Sequence, residues 1–66
     1  MINKIDVEKI VVYMEQNNFS KITFCKKCNL SVQTFNKILK GEKGYRLTAL
    51  FKIARELGCS IADLLE

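Results

Sequence analysis

One short pattern occurs three times in these 66 residues and confines the chain to a helical fold. It reads apolar, serine, three residues, apolar: Phe19-Ser20 precedes Phe24, Leu30-Ser31 precedes Phe35, and Cys59-Ser60 precedes Leu64. A serine at a helix N-cap accepts a hydrogen bond from one of the N–H groups that the first turn leaves unpaired. The apolar residue before it packs on the one at N4 as a staple. The pattern therefore predicts helices over residues 20–28, 31–40 and 60–66. Each such cap contributes about 1 kcal/mol. That increment matters in a chain of this length, which buries only about 60% of its unfolded surface.

Two more helices follow from spacing. Asp6 is an N-cap candidate, and Val7, Ile10, Val11 and Met14 recur at i, i+3, i+4 and i+7, so a first amphipathic helix is expected over 7–16, ended by Asn17 and Asn18. Residues 46–57 place Leu47, Leu50, Ile53, Ala54 and Leu57 on one stripe and stop at Gly58, a residue suited to the left-handed turn past a helix end. No segment reads as a strand, and no repeat, linker or proline divides the chain, so residues 1–66 are expected to form a single all-α domain. Between the second and third helices only Cys28-Asn29-Leu30 precedes the Ser31 cap. Asparagine tolerates the left-handed conformation, so a sharp helix-turn-helix connection is expected there.

Charge is distributed unevenly along this frame. Residues 20–46 hold Lys21, Lys26, Lys27, Lys37, Lys40, Lys43 and Arg46 against one acid, Glu42, a local charge of +6, while the remainder carries −2. Such a block produces a field suited to a polyanion. With Phe35 at the centre of the third helix's inner face and a step of about 100° per residue, Ile38 and Leu39 fall within about 60° of it. Asn36, Gln33, Lys40 and Lys37 fall between about 100° and 200°, a continuous outward strip with no acid. Gln and Asn pair with adenine, Lys reaches guanine O6 and N7, and Val32 at the rim suits a thymine methyl. The strip alone is compatible with reading DNA or with an idle solvated surface.

Other chemistries find less support. Without histidine no Ser, His and Asp set can be assembled, and the three glycines form no phosphate-cradling loop, so no catalytic residue and no cofactor is expected. Cys25-x-x-Cys28 invites a zinc or redox reading. Only Cys59 adds a third thiol, however, and the βαβ context of a redox motif is missing, so packing is the expected role, with thiol sensing second and no metal site. Phe19, Phe24 and Phe35 are expected in the core. Phe51, or Ile61, Leu64 and Leu65, would either close the core or offer a seam to a second copy. No apolar run reaches the roughly 18 residues of a membrane span, no cleavable leader opens the chain, and an odd cysteine count favours a reducing compartment, so a cytoplasmic location is expected.

The run "FSKITFCKKCNLSVQTFNKILKG", followed by "LFKIARELGCSIADLL", resembles the Cro and lambda-repressor type of helix-turn-helix, often called the XRE family. Its pattern is a compact five-helix domain with an apolar-Ser pair opening helix 2, a small residue within it, a turn residue before the next apolar-Ser, and a stretch like "IARELGCS" in helices 4 and 5. The resemblance extends over about residues 7–66. It implies a sequence-specific regulator of transcription, of bacterial or phage type and most often a repressor, bound to double-stranded DNA as a homodimer. By residue it implies base reading by Val32, Gln33, Asn36 and Lys37, and phosphate contacts by Lys21, Ser31, Lys40 and Lys43. Leu39, Tyr45 and Asn29 stand where the family commonly has glutamate, proline and glycine, so the 41–46 loop is expected to follow its own path. A helical protein-interaction module and a thiol-responsive regulator are the rival readings.

Overall fold

Each helix of the computed structural model, which describes residues 5–42 and 44–65, begins and ends where a local device stops it. The order is α1 (Val7–Gln16), α2 (Lys21–Cys28), α3 (Val32–Lys40), α4 (Leu47–Leu57) and α5 (Ile61–Leu64). Asp6, Ser20, Ser31 and Ser60 each accept a hydrogen bond from the backbone N–H three residues on. At α5 the device is a full capping box, with Asp63 returning a bond to the Ser60 N–H. The staple residues all join the core or line it: Phe24, Phe35 and Leu64 are completely buried, and Phe19, Leu30 and Cys59 pack against the core partly buried.

The helix ends are equally local. Asn18, Asn29, Gly41 and Gly58 all take positive φ, between 57° and 75°. After each, the next residue donates back into the last turn: Phe19 to Met14, Leu30 to Cys25, Glu42 to Lys37 and Cys59 to Ala54, at 2.8–3.0 Å. These are Schellman closures, which satisfy carbonyls that the helix would otherwise leave open. Asn29, standing where glycine is common, performs the turn with φ 59°.

α4 packs against both α2 and α5, and α2 against α3. Phe24 and Phe35 meet at 5.2 Å between ring centroids, and Tyr13 approaches Phe24 edge-on at 6.0 Å, so an aromatic row ties α1 to the α2–α3 pair. Tyr13 also donates to Glu56 Oε2 at 3.0 Å, bridging α1 to α4. That hydrogen bond to a carboxylate holds the phenol above its ordinary pKa. Leu39 and Tyr45, two of the departures from the family pattern, pack against the core.

Three expectations need correction. The first helix turns Ile10, Tyr13 and Met14 inward, whereas Val11 stays exposed. Leu47, placed on the inner stripe of the fourth helix, is 59% exposed, because the neighbouring helices cover Leu50, Ile53 and Ala54 instead. The last helix stops at Leu64, short of residue 66, because Leu65 forms an antiparallel bridge with Ile5 and the Leu64 carbonyl accepts from Asp6 N–H. This long-range clasp between chain ends overrides local helix propensity.

Candidate nucleic-acid interface

The α2–turn–α3 unit holds one face of α3 in the core and offers the other outward. Phe35 and Ile38 are buried, and the opposite side carries Gln33, Asn36, Lys37 and Lys40, as the helical spacing implies. Gln33 and Lys40 are exposed, Asn36 and Lys37 are half-buried, and Val32 is 39% exposed at the N-terminal rim. The strip is thus a real surface ridge, and the last turn of α3 is basic through Lys37 and Lys40.

Two of these side chains are held by neighbours. Lys21, in the first turn of α2, reaches across the turn and donates from Nζ to Asn36 Oδ1 at 3.1 Å. Lys37 leans toward the α3–α4 connection, where a Cβ placed on Gly44 would lie 3.6 Å from its Nζ. Ser31 is exposed, and its hydroxyl accepts from Thr34 N–H at 3.1 Å while donating to Thr34 Oγ1 at 2.9 Å. Its proton is therefore committed to the cap, and an anion here would meet the unpaired N–H groups of the first turn. Lys43 lies outside the described residues. Spacing within one helix does not reveal the Lys21–Asn36 pair. Its signal is the short turn, which brings the first turn of one helix over the middle of the next.

The remaining bases divide. Lys27 stands 5.0 Å from the centroid of the Phe19 ring, a cation–π contact that supports the staple. Lys52 donates to the Asn29 carbonyl at 3.2 Å, so it braces the turn from α4. Cys25 and Cys28 are buried in the core. Burial pushes the Cys25 thiol up in pKa against the smaller opposing pull of Lys21. It drives Cys28 up to about 12, with Glu56 and Cys25 adding to the effect. Both are poor nucleophiles in the folded chain. Leu64, offered as part of an intersubunit seam, is instead fully buried, whereas Phe51 is 56% exposed beside Leu47.

With this geometry established, comparison with family models matches residues 9–66 to the Cro/C1-type HTH DNA-binding domain. The chain belongs to that family. Searches of curated proteins and of solved structures gave no match.

As a Cro/C1-type helix-turn-helix domain it is a DNA-binding protein of the regulator class, in a family that is typically not enzymatic. Among the described residues no helix is long and apolar enough to cross a membrane.

Proposed function

We propose that residues 1–66 act as one sequence-specific DNA-binding domain of a transcriptional repressor, which lays α3 in the major groove of double-stranded DNA in the cytoplasm. The observation that carries this reading is the acid-free outward ridge of α3, held at a fixed angle by capped ends and a buried Phe35. Val32, Gln33, Asn36 and Lys37 contact base edges. Lys21, Lys40, Lys43 and the N-terminus of α3 at Ser31 set the register on phosphates. One short helix grips few base pairs, so the working form is a homodimer on half-sites about 34 Å apart. Leu47 and Phe51, one turn apart on α4, supply the exposed apolar surface on which a second copy seats. Burial of Cys25 and Cys28 weighs against control through those thiols.

Selection from a randomised duplex pool, followed by titration of variants, tests the assignment. Gln33→Ala and Lys37→Ala relax selectivity by about 1–3 kcal/mol each, whereas Lys40→Ala weakens all sequences alike and lowers the salt slope by about one. Identical behaviour of the two classes on every duplex contradicts it.

A further inference from the structure

Lys21 and Asn36 lie fifteen positions apart on different helices, yet their side chains meet at 3.1 Å. An ammonium group has donors and no acceptor, so the carboxamide must turn Oδ1 toward Lys21 and its amino group away. Asn36 is half-buried and Lys21 exposed, which places this bond at the edge of the ridge.

The consequence is chemical. A free asparagine pairs with adenine by giving a proton to N7 and taking one from the N6 amino group. Here Oδ1 already accepts from a full positive charge, and adenine N6–H would have to approach that same charge. Guanine differs from adenine at this edge by presenting O6, an acceptor, beside N7. Both the Nδ2 protons of Asn36 and the remaining donors of Lys21 match those two acceptors.

We infer that Lys21 is a positioning residue that makes Asn36 a donor-only reader, so that the pair selects guanine over adenine at the base it faces. The inference rests on α3 reading duplex DNA. It adds to Lys21 a role distinct from phosphate neutralisation, since phosphate contacts carry no base preference.

The test takes the duplex obtained by selection and varies each half-site position through all four bases, with affinities measured for the wild-type chain, Lys21→Met, Asn36→Ala and the double variant. Thermal unfolding of each variant monitors folding, since Lys21 is exposed but Asn36 is half-buried. The wild type is expected to prefer guanine over adenine about tenfold at one position, the size of a good base contact. Asn36→Ala flattens that position. Lys21→Met frees the amide oxygen and moves the preference there toward adenine, an effect that vanishes when Asn36 is also replaced. A Lys21→Met variant that loses the same factor on all four duplexes overturns the inference while leaving groove reading intact. A wild-type chain with no base preference at any position overturns the groove-reading proposal itself, and the positioning role falls with it.

Discussion

Between α2 and α3 the chain turns in three residues, and each is held: Asn29 sits in the left-handed region, Leu30 donates back to Cys25 and packs on the core, and Ser31 caps the next helix. The connection from α3 to α4 closes with Gly41 in the same way, but α4 then starts at Arg46 with no side-chain cap and no acidic residue in its first turn. The contrast shows two ways of placing a helix. α3 is short, and both its ends are fixed by local bonds. α4 is oriented by what it buries, through Leu50, Ile53 and Ala54, and tolerates an uncapped start.

Substitutions can break or sharpen that comparison. The largest effect is expected at the point where the helix-turn-helix meets the core: Phe35→Ala should cost about 3–5 kcal/mol. Phe51→Ala, on the exposed side of α4, should stay within about 0.5 kcal/mol, both read from urea denaturation of the monomer. A smaller loss should follow from alkali. Cys28 has its folded pKa raised from 9.0 to about 12, so its contribution is complete below pH 9. It declines as the pH climbs from 9 toward 12, because the unfolded thiol ionises first. Stability measured across that range should fall more steeply for the wild type than for Cys28→Ala. At the tight turn, Asn29→Ala should cost about 1–2 kcal/mol because alanine resists φ near 59°, whereas Asn29→Gly should be neutral or better. The smallest change is a gain. Arg46→Ser supplies the missing cap at a residue already extended (φ −91°, ψ 153°) and should add about 0.5–1 kcal/mol to the unfolding free energy.

The serine-marked helix starts were legible in the sequence because capping and stapling involve residues within five positions of one another. Asn29 and Gly58 were readable as turns for the same reason. Leu47 and Val11 were misplaced because periodicity ranks residues around one helix axis and contains nothing about which sector a neighbouring helix covers. The early end of α5 depended on Ile5, sixty positions from Leu65 along the chain, a pairing that no local rule contains. The ridge of α3 was readable as a strip. That Lys21 holds Asn36 and that Lys37 leans toward Gly44 depended on the helix–helix angle and on the path of the loop.

The central claim is that the outward side of α3, and not the apolar side of α4, is the surface that meets nucleic acid. An NMR titration of the ¹⁵N-labelled chain with a selected duplex tests it residue by residue. The account predicts shifts concentrated at Val32, Gln33, Asn36 and Lys37, with Lys21 and Lys40 beside them, and little change along Leu47 and Phe51. Shifts confined to the α4 face, or none at any ionic strength that permits binding of polyanions, would contradict it.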